Sequence, residues 1–125
     1  MQAVDIMAHP ADHEPFGQVI VQGMALGKPV VATRSGGPAE IIADGQDGLL
    51  VPVNDPESLA AALDRVLDDA ALAKALGEAA TRRARDFSVA RFCAELTEIV
   101  STIALSATRR ETAWVGIGDE AKREV

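Results

Sequence analysis

The chain has 125 residues, enough for one domain with a modest core. Apolar residues make up 48% of it, with three Phe, one Trp and no Tyr, so the core has to be Ala, Val, Leu and Ile, a mixture that suits helices packed on a sheet. A formal net charge of −7 argues against nucleic acid as a partner, because phosphate contacts need clustered Lys and Arg.

The first predicted element is a short buried strand over residues 4–8, broken by Pro10. His9 ends it. The loop that follows carries His13, Asp12 and Glu14 at the strand's carboxyl end, where open parallel sheets bind ligands. Glu14-Pro15-Phe16-Gly17 then leads into a helix over residues 17–26, with Val19, Ile20, Met24 and Gly23 facing inward. A glycine at a helix start lets a ligand approach the backbone closely. The helix start aims free N–H groups and a positive dipole end at an anion, while the adjacent carboxylate accepts hydrogen bonds from hydroxyls. A diphosphate and a sugar would fit side by side.

A second strand is expected over residues 30–33, β-branched and flanked by Pro29 and Ser35-Gly36-Gly37. A short helix over 38–43 follows, with Pro38 in its first turn and Glu40 as a first-turn acid facing the dipole. Gly36 and Gly37 precede this helix; they either line the cleft or allow helix and strand to pack closely. Gly45 and Gly48 punctuate the turn into a third strand over 49–53. Asp55 caps a helix with Leu59, Leu63, Val66 and Leu67 on one face. Asp69 opens the next, carrying Leu72, Leu76, Ala79, Ala80 and Phe87. Ser88 caps a third, where Val89, Phe92, Leu96, Ile99, Val100 and Ile103 keep helical spacing. Residues 108–125 are polar with two glycines and are expected to be frayed or a weak helix. The fold class is therefore α/β, half of a doubly wound sheet: about three parallel strands, flanking helices and a helical C-terminal segment.

The order of these motifs resembles the closing part of the retaining group 1 (family 4) glycosyltransferases, from about Asp5 to Val100. It rests on the Asp-Ile strand into His9-Pro10, on Glu14-Pro15-Phe16-Gly17, and on Ala-Leu-Gly-Lys-Pro-Val-Val-Ala-Thr ending at Thr33. Gly-Gly-Pro-Ala-Glu-Ile-Ile from Gly36 and Asp-Gly-Gln-Asp-Gly-Leu-Leu-Val-Pro from Asp44 complete the set. The resemblance implies a GT-B type C-terminal domain that binds a nucleotide-sugar donor and passes the sugar to an acceptor hydroxyl. It implies no cofactor and no metal, the departing diphosphate being stabilised by positive charge and helix dipoles. Glu14 matches the first of the family's paired glutamates, which contacts donor hydroxyls near the reacting carbon, and is the catalytic candidate. Pro15, Phe16, Gly17, Gln18 and Gln22 join it as donor-binding candidates; His13, Gly36 and Gly37 are candidates for lining the cleft.

Position 22 departs from the family pattern. A second glutamate eight residues after the first usually bonds both ribose hydroxyls, and this chain has Gln22. Exchanging a charge-assisted bond for a neutral one weakens ribose binding by roughly 1 to 2 kcal/mol. Gly23 replaces a usual small residue such as Ala, at about 1 kcal/mol of helix propensity.

The resemblance also implies that the N-terminal acceptor domain and the basic residues that grip the diphosphate lie outside this chain. Residues 1–104 then form a partial nucleotide-sugar-binding Rossmann-like domain and 105–125 a polar tail. The isolated chain is expected to bind donor weakly, to be inactive, and to self-associate through its orphaned sheet edge or helix faces. The alternative is a non-catalytic half-domain used in partner binding or self-association.

The remaining features read as structural. His9 and His13 are separated by Pro10, which removes the helical spacing that sets two imidazoles on one face, so no metal site is expected. Cys93 excludes an internal disulfide and reads as a buried, inert thiol beside Phe92. Arg82-Arg83-Arg85 and Arg109-Arg110 read as solvated helix faces. No apolar run reaches membrane-spanning length and no signal core follows Met1, so the expected setting is cytoplasmic.

Overall fold

The computed structural model describes the backbone of residues 4–120 and the side chains of residues 4–105. The chain divides into two compact units, Met1–Phe87 and Ser88–Val125. In the first, β1 (Met7–His9), β2 (Val30–Thr33) and β3 (Leu49–Val51) form a parallel sheet in the order β1-β2-β3. Helices α1 (Gln18–Ala25) and α2 (Gly36–Ile41) connect the strands, and α3 (Pro56–Asp68), α4 (Ala70–Ala84) and a 3-10 turn at Arg85–Phe87 follow. The second unit is one helix, α5 (Val89–Glu120).

Strand alternation sorts the core into two layers. On one face Val30, Ala32 and Leu50 pack with Ile20, Met24, Ile41, Ile42, Ala80 and Ala84. On the other, Val31, Leu49 and Val51 meet Val66 and Leu76, with Leu59, Ala62, Leu63, Leu72 and Ala73 against them. Every residue of the central β2 is buried, as a strand covered on both faces requires.

The expected elements form with shifted ends, and β1, expected buried, is half-buried with Ala8 exposed because it stands at the end of the strand order among the described residues. β1 begins at Met7 rather than residue 4 because its ladder starts on Pro29: Met7 N–H donates to the Pro29 carbonyl and Met7 pairs with Val30. Proline offers no N–H of its own, and the chain before Val30 is the turn out of α1. β3 stops at Val51 because Pro52 follows. Helix α2 starts at Gly36, so Gly36 and Gly37 form its first turn, and Glu40 is its fifth residue, away from the positive end.

Asp55 and Asp69 do cap α3 and α4, accepting from Ser58 N–H and Leu72 N–H, both at 2.9 Å. Ser88 Oγ accepts from Arg91 N–H at 3.3 Å at the start of α5. Leu67 is 66% exposed, since it lies about 100° round α3 from the buried Val66. Phe87 leaves α4 for the 3-10 turn and is also exposed.

Helix α5 runs on to Glu120, where a frayed segment or a weak helix was expected; Ala, Arg and Glu are good helix formers. Residues 121–125 lie outside the described residues. Cys93, expected buried, is exposed on α5. Among the described residues, no helix is long and apolar enough to cross a membrane.

Candidate functional site

The loop between β1 and α1 is held by its neighbours. Its Ala11 carbonyl accepts from Thr33 Oγ1 and from Ser35 Oγ, the latter at 3.2 Å, so the end of β2 fixes the middle of the loop. The Glu14 carbonyl accepts from Gly37 N–H at 2.7 Å. That bond brings the loop against the first turn of α2 so closely that only glycine fits. A Cβ on Gly36 would lie 2.5 Å from Glu14 O, and one on Gly37 would lie 2.8 Å from the Phe16 carbonyl carbon. The close packing seen at these glycines is of α2 against this loop rather than of helix against strand. Gly17 takes φ 68°, the left-handed region that glycine occupies without strain, and opens α1.

That turn folds the Glu14 side chain back on its own loop. Its Oε1 accepts from Gly17 N–H at 2.9 Å and Phe16 N–H at 3.1 Å. These N–H groups, expected to be free for a phosphate, are thus occupied by the protein's own carboxylate, because the Pro15-Phe16-Gly17 turn brings them within reach of a side chain two and three residues earlier. The Gly17 bond, then the Phe16 bond, hold the Glu14 carboxyl below its ordinary titration value against the opposing effect of partial burial. The fields of His9 and His13 add to them. The second oxygen, Oε2, lies 3.5 Å from His9 Nε2. Glu14 is thus an ionised, oriented acceptor with one oxygen bound internally and the other facing an imidazole.

The remaining candidates sit around it. Phe16 is 80% exposed, and its N–H donates to Glu14 Oε1. Pro15, His13, Gln18 and Gln22 are exposed. Gly23 is buried against β1, where a Cβ would fall 2.3 Å from the sulfur of Met7. The gap left by the missing methyl is filled by a methionine.

Three features were missed in the sequence. A cavity of about 180 Å³ opens at the carboxyl ends of the strands, lined by Pro10, Asp12, Thr33, Pro52, Asn54, Asp55, Pro56 and Leu59. Asn54 on its wall has φ 56°, a conformation asparagine tolerates. Arg83, read as part of a solvated face, donates through Nε to Ile41 O at 3.0 Å and through Nη2 to Glu40 O at 3.3 Å, capping the carbonyl end of α2. Asp47 is buried and accepts from Ala43 N–H at 2.8 Å; burial pushes its carboxyl above the ordinary value, and the Ala43 bond and Arg83 oppose it. An Arg spacing alone carries no signal for such long-range partners.

A parallel three-stranded sheet with helices on both faces and a polar loop at a strand's carboxyl end defines half of a Rossmann-like domain, of the kind found in GT-B glycosyltransferases. The chain belongs to the group 1 glycosyltransferases, whose family model matches residues 1–83. It is 41% identical over 78 residues to the lipopolysaccharide core biosynthesis glycosyltransferase LpsE of Rhizobium meliloti, covering 62% of this chain and 23% of that protein. It is 44% identical over 98 residues to the D-inositol 3-phosphate glycosyltransferase of Corynebacterium kroppenstedtii, covering 78% and 22%. The chain thus spans under a quarter of the length of these two curated relatives.

Among solved structures, sucrose-phosphate synthase from Thermosynechococcus elongatus superposes with a TM-score of 0.77 at 31% identity, over 83% of this chain and 26% of that one. Anabaena HepE in complex with UDP-glucose gives a TM-score of 0.75 at 32% identity, over 81% and 28%.

Proposed function

We propose that this chain is the donor-binding portion of a retaining, family 4 glycosyltransferase, drawn from the C-terminal of its two Rossmann-like domains. Residues 1–104 make up the partial donor domain and 105–125 a polar tail. Glu14 is the residue that meets donor sugar hydroxyls near the reacting carbon. Pro15, Phe16, Gly17, Gln18 and Gln22 build the donor side of the site, and His13, Gly36 and Gly37 line the cleft. The partner is an N-terminal acceptor domain, and the setting is cytoplasmic.

One observation carries this reading: Glu14 is preorganised as an ionised acceptor at the carboxyl end of β1, with Oε1 fixed by two backbone N–H groups. A fixed carboxylate beside a helix start suits hydroxyl recognition better than phosphate binding, because a negative charge repels phosphate and accepts O–H. The HepE structure, crystallised with UDP-glucose, supports a nucleotide-sugar as the ligand class. The diphosphate is then held by basic residues elsewhere in the whole enzyme, not by the N–H groups of Phe16 and Gly17.

The isolated chain does not transfer sugar, and its affinity for donor is weaker than about 1 mM, a free energy of only about 4 kcal/mol. Calorimetric titration with UDP-glucose and other nucleotide sugars tests this. Micromolar affinity for any of them would overturn the partial-site reading.

A further inference from the structure

His9 carries an unassigned feature of the site. It closes β1 in register with Ala32, and its side chain is 15% exposed. Nε2 lies 3.5 Å from Glu14 Oε2. Nδ1 is buried and has no hydrogen-bond partner among the described residues.

A neutral imidazole carries one proton, and the surroundings of its two nitrogens decide where that proton sits. On Nδ1 it would make a buried N–H donor without an acceptor, an arrangement that folded proteins rarely keep. On Nε2 it lies within 3.5 Å of a carboxylate oxygen. The bare Nδ1 lone pair is the smaller penalty. The 3.5 Å separation exceeds a closed hydrogen bond, and contacts in unliganded sites commonly tighten when ligand arrives.

We propose that His9 is a positioning residue for Glu14: its neutral Nε2–H holds the outer carboxylate oxygen while Gly17 and Phe16 hold the inner one. Donors at both ends fix the plane of the carboxylate and leave Oε2 lone-pair capacity for a sugar hydroxyl. His13, on the same loop, adds its field to Glu14 and does not replace this contact. What Glu14 meets rests on the function proposed above; the His9–Glu14 contact itself does not.

Two measurements on the full 125-residue chain without ligand test it. Long-range proton–nitrogen NMR of His9 at a pH well above the usual imidazole value of about 6.5 is expected to show the Nε2–H form. An Nδ1–H form would overturn the proposal, and this readout needs no variant to fold. The second measurement compares His9→Gln, which keeps a donor near the Nε2 position, with His9→Leu, which keeps bulk alone. Amide exchange at Phe16 and Gly17 is expected to speed up about threefold or more in His9→Leu, the equivalent of a weak hydrogen bond, and to stay near wild type in His9→Gln. Equal exchange in both variants, or faster exchange in His9→Gln, would reduce His9 to packing. Neither measurement involves a nucleotide sugar, so a failed donor titration and a failed His9 test remain separate results.

Discussion

At the scale of single residues, Glu14 does two jobs with one side chain. Its Oε1 closes the turn into α1 and its Oε2 remains the outward acceptor. On the role proposed for Glu14, its replacement by Ala in the whole enzyme removes a preorganised polar contact with the donor and is expected to lower turnover at least about a hundredfold. On the donor-binding role proposed for Gln22, an exposed residue of α1, Gln22→Glu is expected instead to tighten donor binding by offering the ribose hydroxyls a charged acceptor. Steady-state kinetics on both variants check the pair. Wild-type turnover in Glu14→Ala would remove Glu14 from the chemistry.

At the scale of elements, the close approach of α4 to the end of α1 depends on Gly77. A Cβ there would lie 2.3 Å from the Gly27 carbonyl oxygen, which is backbone and cannot swing aside. Thr81 Oγ1 lies at the same contact, donating within α4 to the Gly77 carbonyl at 3.0 Å, with the Met24 carbonyl 3.4 Å away. In an isolated helix Gly→Ala would gain about 1 kcal/mol. Here the clash outweighs it, and Gly77→Ala is expected to destabilise the fold by about 1–3 kcal/mol net, read as a lower urea midpoint. A stabilised variant would mean that α4 is free to shift. Gly23→Ala provides the contrast, because the atom in the way is a methionine sulfur on a flexible side chain, which can yield.

At the scale of the whole molecule, stability against pH follows from three carboxylates. The fold lowers the titration of Glu14, chiefly through Gly17 N–H, and of Asp55, chiefly through Ser58. Their ionised forms are favoured in the fold, so their contribution is fully present above the ordinary carboxylate value of about 4 and is lost as pH falls through their lowered native values. Asp47 has the opposite sign: its raised native value means that the folded state binds more protons just above that range, so its effect on stability worsens as pH rises through the window. Asp47→Asn keeps an acceptor for Ala43 N–H while removing the desolvated charge. It is expected to be at least as stable as wild type at pH 7, with a flatter stability profile just above pH 4, measured by denaturant titration. A large loss at pH 7 would show that the charge itself is needed.

We also propose that the isolated chain forms a twofold dimer, since β1 is an edge strand with Ala8 exposed and α5 carries Phe92, Leu96, Ile99, Val100 and Ile103 along one side. A charge of −7 on each copy opposes association, so light scattering at micromolar concentration is expected to show a dimer that strengthens with salt. A monomer at both low and high salt would sink the idea.

Much of this architecture was legible in the residue order, for reasons local to the chain. Asp55, Asp69 and Ser88 announce helix starts because a cap bonds within three residues of itself. The run Val30–Thr33 announces a buried strand because its β-branched residues sit between punctuating Pro and Gly. The Glu14-Pro15-Phe16-Gly17 loop was legible as a candidate site because its carboxylate and glycine lie close together in sequence. What faces the carboxylate's outer oxygen was not, because His9 Nε2 is set there by β1, and neither was the bond from Gly37 N–H to the Glu14 carbonyl, which forms only once α2 lies against the loop. The same holds for Gly36, Gly37 and Gly77, whose missing side chains answer to backbone from distant parts of the chain, and for Arg83, which crosses 42 positions to reach Ile41. Short-range hydrogen bonding and hydrophobic alternation are written in sequence spacing; close approach between elements and the partner of a long side chain exist only once the sheet has brought those elements together.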